Sequence, residues 1–189
     1  TDTLADWPLI SADQSQRLIA NAAPATDLPP PPATTLPAAF ALRVAAAPEA
    51  VAVVDGDIQL SFAMVDQRAN GVANSLIAMG VGIEDRVAVI LPRGADWPVA
   101  MLGVVKAGAA FVPFDTEAAI ERSLAIMEDA DIKALVLGNG IDEALVPEGL
   151  PVLRIDSDAL SQASDAAPEV DVDGNSLAYV IFTSGSTGR

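Results

Sequence analysis

Six consecutive residues near the end of the chain, Thr183-Ser184-Gly185-Ser186-Thr187-Gly188, are all glycine or hydroxyl-bearing. They follow directly on the apolar run Leu177-Ala178-Tyr179-Val180-Ile181-Phe182. Small residues let main-chain N–H groups approach an anion closely, and the hydroxyls of Thr183, Ser184, Ser186 and Thr187 can donate to phosphate oxygens. The chemistry such a set can do is to cradle a polyphosphate. Neither of the common phosphate fingerprints fits. Gly185 and Gly188 are three apart with no Lys in the Walker position, and Gly138 and Gly140 lack the third glycine of a dinucleotide loop. On residue types alone, a flexible Ser/Gly turn is an equal reading.

Other chemistry is bounded by what the sequence lacks. Of its 189 residues none is Cys or His, which removes disulfides, Cys/His zinc sites, thiol nucleophiles and Ser-His-Asp catalysis within this segment. Ten Lys and Arg stand against 26 Asp and Glu, a formal charge of −16, so nucleic acid and anionic lipid are disfavoured partners. No uninterrupted apolar run approaches the roughly 18 residues of a membrane span, and the start has no signal-type core. A cytoplasmic protein with neither nucleic-acid nor membrane partners is the expectation. Hydrophobic residues make up 51% of the chain but aromatics only 4%, a balance suited to an α/β core rich in Ala, Val, Leu and Ile.

The elements that must position the hydroxyl-rich loop can be read from pattern. Ser11-Ala12-Asp13-Gln14 has the form of a capping box ahead of a short helix carrying Leu18 and Ile19, and Pro29 to Pro32 reads as a semi-rigid tether. A helix begins near Pro37 with Phe40, Val44 and Ala47 on one side, and Pro48 ends it. Val51–Val54 and Ile58–Phe62 flank Asp55-Gly56-Asp57 as a hairpin. Ser61 caps a long helix through Met79, closed by Gly80. Apolar runs at 86–91, 110–114, 133–137, 151–155 and 177–183 then alternate with helical spacing near 97–107, 119–129 and 141–145, which predicts a buried parallel sheet. Residues 161–176 are polar and acidic, a surface excursion before the last strand. Lys106 is expected to be structural, at a helix end where a cation meets the macrodipole. Gly108 and Pro113 are expected to set a turn and a strand end, Asp115 to cap a helix, Tyr179 and Phe182 to pack in the core on an inner strand, and Trp7 and Trp97 to anchor hydrophobically.

Leu177 to Arg189 resembles the phosphate loop L-A-Y-x-x-Y-T-S-G-S/T-T-G-x of nonribosomal peptide synthetase adenylation domains, with Phe182 in place of Tyr. These belong to the adenylate-forming superfamily, with acyl-CoA synthetases and luciferases. Val105-Lys106-Ala107-Gly108-Ala109-Ala110-Phe111-Val112-Pro113-Phe114-Asp115 is similar to that family's L-K-A-G-x-A-Y-V-P-I-D, and Leu60-Ser61-Phe62 to its L-T/S-Y. Residues 7–21 look like the linker that follows a condensation domain. Two departures stand out: Asp115-Thr116-Glu117-Ala118-Ala119-Ile120-Glu121-Arg122 lacks the two prolines and the tyrosine common after the second motif, and Met64-Val65 replaces Glu-Leu in the first.

The resemblance implies an α/β fold: the parallel-sheet-rich amino-terminal part of an adenylate-forming core domain over 37–189, preceded by a Pro-rich interdomain linker over 1–36. It implies that Thr183, Ser184, Gly185, Ser186, Thr187 and Gly188 hold the β- and γ-phosphates of ATP, with Mg2+ nearby. An amino-acid substrate would be converted to aminoacyl adenylate and pyrophosphate, then loaded on the phosphopantetheine of a partner carrier-protein domain, with a condensation domain upstream. No catalytic side chain and no metal ligand is assigned within 1–189. The chain reads as a piece of a longer polypeptide that stops inside the phosphate loop, and on its own it is expected to be inactive. A CoA-coupled acyl- or aryl-acid ligase and a non-catalytic interaction half-domain are the other readings.

Overall fold

The computed structural model describes residues 11–22, 33–156, 160 and 163–182. Thr183 to Arg189, the Pro29–Pro32 tether and Trp7 lie outside the described residues. The chain divides into two units, Thr1–Pro32 and Ala33–Arg189. In the first, helix α1 (Ala12–Ala22) opens on the expected capping box: Gln14 N donates to Ser11 Oγ at 3.2 Å and Ser11 N to Gln14 Oε1 at 2.9 Å.

The second unit opens with α2 (Leu36–Ala46), capped by Thr35, and a hairpin of β1 (Val51–Asp55) and β2 (Ile58–Ser61) whose turn uses Gly56 at φ 56°. Ser61 Oγ accepts from Met64 N at 3.2 Å and starts α3 (Phe62–Ala78). That helix ends in a Schellman pair, Val81 N to Leu76 O and Gly80 N to Ile77 O, with Gly80 at φ 89°. Next come β3 (Arg86–Ile90), α4 (Asp96–Lys106), β4 (Ala110–Phe114), α5 (Ile120–Asp129), β5 (Ile132–Leu137) and β6 (Val152–Arg154). Where a helix is expected near 141–145, a single 3-10 turn forms at Glu143–Leu145, because Asp142 caps Ala144 N and the chain is extended again by Val146.

The four strands β3 to β6 pair in parallel in the order β4-β3-β5-β6. Their period-two alternation divides one apolar sequence between two cores. Val87, Val89, Ala134 and Val136 face α3 and α4, whereas Ala88, Ile90, Val112, Leu135 and Leu137 face α5. Helices therefore cover both faces. α3 and α4 approach so closely at Gly103 that a Cβ there would stand 2.5 Å from Val72 and 2.9 Å from the Ala69 carbonyl.

The expected last strand is realised as a single parallel bridge, Phe111 to Tyr179, on the free side of β4. Phe111 N donates to Ala178 O at 3.1 Å and Val180 N to Phe111 O at 3.0 Å. Its aromatic residues are not the inner-core residues expected. Tyr179 is 56% exposed and Phe182 43%, since among the described residues nothing pairs beyond this segment. The excursion before it runs over the surface, as its composition suggested, held to α3 by Asn70 Nδ2 on Asp165 O (2.8 Å) and Asn74 Nδ2 on Ser164 O (2.8 Å) and Ala166 O (2.9 Å).

Candidate active site

In a parallel sheet, ligand sites form beyond the carboxyl ends of strands where neighbouring connections leave toward opposite faces. β3 and β4 meet that condition: β3 leads to α4 on one face and β4 to α5 on the other. A cavity of about 830 Å³ lies there, lined by Pro92, Arg93 and Trp97 after β3, by Phe114 at the end of β4 and by Asp115 and Glu117 after it.

The loop after β3 is held from three sides. Asp55, from the hairpin, accepts from Ala95 N through Oδ2 at 3.0 Å and so caps α4, whose own N-terminus has no side-chain cap. The Trp97 indole N–H donates to Leu91 O at 3.0 Å, adding a polar tie to the expected anchor. Gly138 donates to Ile90 O, and a Cβ on it would stand 2.8 Å from Pro92, so this glycine serves close packing. Arg93 extends from the loop exposed, without an ion-pair partner among the described residues.

Asp115 does not cap a helix as expected. Its Oδ1 accepts from Glu117 N at 3.0 Å in a local turn, and α5 starts later, after Ala119, without a side-chain cap.

Lys106 closes α4, 7% exposed, with Nζ 2.7 Å from Asp66 Oδ1 and 2.6 Å from Asn70 Oδ1. It is structural, as expected, and ties α4 to α3. Gly108, at φ 83°, completes the Schellman turn after α4, with Ala109 N on Val104 O. Pro113 lies within β4 rather than at a strand end as expected, and its missing donor falls on the outer side of the strand, the side on which Phe111 N meets Ala178 O, so the pairing with β3 loses no hydrogen bond.

The segment 177–182 runs parallel to β4, toward the same end of the sheet as the cavity, and Phe182 precedes Thr183. The six proposed phosphate-loop residues themselves lie outside the described residues. Sequence reasoning missed Asp55, Asn70, Asn74 and Glu84. The i, i+4 repeat Asp66, Asn70, Asn74 on an otherwise apolar helix face was a usable signal for the asparagines; nothing in the sequence marked Asp55 or Glu84.

The model of the AMP-binding enzyme family matches residues 40–189. The chain belongs to that family. It is 44% identical over 181 residues to the probable non-canonical nonribosomal peptide synthetase CymA of Salinispora arenicola, covering 96% of this chain and 2% of that protein. It is 39% identical to one of the linear gramicidin synthase proteins of Brevibacillus parabrevis, covering 79% of this chain and 2% of the relative. The AMPPNP-bound crystal structure of the nonribosomal peptide synthetase FmoA3 superposes with a TM-score of 0.77 at 29% identity, over 84% of this chain and 17% of that one. The chain thus spans a small fraction of the relatives it matches. Its α/β fold with a parallel sheet is that of the amino-terminal part of an adenylate-forming domain. No helix among the described residues is long and apolar enough to cross a membrane.

Proposed function

We propose that this chain is the amino-terminal part of a nonribosomal peptide synthetase adenylation domain, with residues 1–36 as the linker from a preceding condensation domain and 37–189 as core. The complete polypeptide activates an amino acid with ATP and passes it to a carrier-protein phosphopantetheine. The observation that supports this reading is the parallel bridge of Tyr179 to Phe111, which sets residues 177–182, next in sequence before Thr183, running toward the cavity end of the sheet.

The donor set fits a nucleotide's β- and γ-phosphates: four hydroxyls, at Thr183, Ser184, Ser186 and Thr187, and small residues at Gly185 and Gly188 that leave main-chain amides open. Mg2+ accompanying the nucleotide would offset phosphate charge. When the amino-acid carboxylate oxygen bonds to the α-phosphorus, the bond to the β-phosphate oxygen breaks and pyrophosphate departs with the electron pair. The loop's part is to stabilise the charge gathering on that leaving group, which is electrostatic catalysis without proton transfer.

The test is amino-acid-dependent ATP–pyrophosphate exchange by the complete polypeptide. Exchange with one or a few amino acids is expected, abolished when residues 183–188 are all alanine, and absent from the 189-residue segment alone. Acid-dependent CoA thioester formation, or unchanged exchange in the alanine variant, would overturn the reading.

A further inference from the structure

The segment that leads into the phosphate loop is held at two places, both beside Gly108. At its start, Leu177 N donates to Glu84 Oε1 at 2.8 Å. Just beyond, Phe111 exchanges main-chain hydrogen bonds with Ala178 and Val180, and its ring stacks on Tyr179 with centroids 5.7 Å apart and planes 30° from parallel. Glu84 sits at φ 67°, a left-handed conformation that costs a non-glycine residue free energy and persists only where its surroundings impose it. The turn after α4 imposes it. Glu84 N donates to Gly108 O at 3.1 Å, while a Cβ on Gly108 would lie 3.0 Å from both Ile83 and Val170. The tight turn at Gly108 thus lets the Ile83–Glu84 backbone come close enough to send the Glu84 carboxylate to Leu177.

From this geometry we infer that Glu84 and Phe111 are positioning residues for the phosphate loop, a two-point clamp that fixes where the loop leaves the sheet. The inference rests on the adenylation reading and adds to it. Among the described residues nothing pairs with this segment from its outer side; besides the packing of Val180 on the core cluster that faces α5, its register rests on these two contacts, which thereby fix the course of the segment that precedes Thr183 in sequence. The segment Lys106–Phe111 then acts on nucleotide binding through backbone placement, without contacting the nucleotide.

Three readouts on the complete polypeptide test this: separate KM values for ATP and amino acid in pyrophosphate exchange, amide hydrogen exchange of the 176–182 peptide, and a thermal melt. Glu84→Gly relieves the left-handed strain while deleting the acceptor. Its Tm should hold or rise while KM for ATP increases about tenfold and exchange at 176–182 accelerates. Glu84→Gln keeps an acceptor oxygen and should stay within about twofold of the unsubstituted protein. Phe111→Leu should raise KM for ATP, and Phe111→Tyr should restore it; KM for the amino acid should stay constant throughout. An unchanged KM for ATP in Glu84→Gly, or a parallel rise in both KM values that follows lost Tm, would overturn the clamp. Absence of exchange in the unsubstituted polypeptide would overturn the adenylation reading instead, and faster amide exchange in Glu84→Gly would then still uphold the clamp as anchor of this strand.

Discussion

Lys106 carries its ammonium into the contact between two helices and finds one carboxylate and one amide oxygen there. Replacing it by Met would keep the volume and strand Asp66 and Asn70 without their cation. The loss should be about 2–4 kcal/mol in urea unfolding, below a fully buried pair because Asp66 retains 21% exposure. Asp131 shows the opposite regime, at the surface. The hydrogen bond and charge of Lys133, with Arg86 adding, hold its carboxyl below the usual value. A depressed carboxylate contributes stability that is present above its unfolded pKa of 3.8 and is lost as pH falls through the lower folded value. Asp131→Asn should therefore flatten the acid limb of the stability profile below about pH 4. Asparagine suits the left-handed backbone at φ 50°, so the substitution isolates the charge.

Among the elements, the α3–α4 contact sets the tightest constraint. Gly103→Ala would gain up to about 1 kcal/mol of helix propensity, yet the added methyl meets Val72 at 2.5 Å and a main-chain oxygen at 2.9 Å. Backbone oxygen cannot turn aside, so overpacking wins and the variant should be destabilised by about 1–3 kcal/mol in thermal unfolding. The elements themselves were largely legible in the sequence, because each has a local cause: Ser61 caps α3, Pro37 opens α2, Gly80 terminates, and Val/Ile/Leu runs on both faces mark buried strands. What pattern could not supply was partnership across distance. Asp55 reads as a hairpin residue and holds the start of a helix 40 positions on; Glu84, which no pattern marks, holds Leu177, 93 positions away. The exposure of Tyr179 and Phe182 escapes pattern for the same reason, since an apolar run states a preference for burial but not which neighbour provides it. The phosphate-loop reading of residues 183–188 rests on resemblance alone, their Ser/Gly composition being equally that of an ordinary turn.

For the whole molecule, the consequences gather at the border of the sheet beside β4. The Leu177–Phe182 border exposes Leu177, Tyr179, Ile181 and Phe182, an apolar row with unpaired main chain of the kind that recruits further strands. The isolated segment should self-associate, and Ile181→Lys should reduce the association seen in concentration-dependent sedimentation. One consequence bears on how this polypeptide can be cut. The amide and carbonyl of Phe111 are both satisfied by Ala178 and Val180. A gene trimmed upstream of Ala178 would strip the outer flank of β4, together with the packing of Val180 on the core, and turn a protected strand into a raw one. Excision boundaries for recombinant work therefore belong beyond Val180.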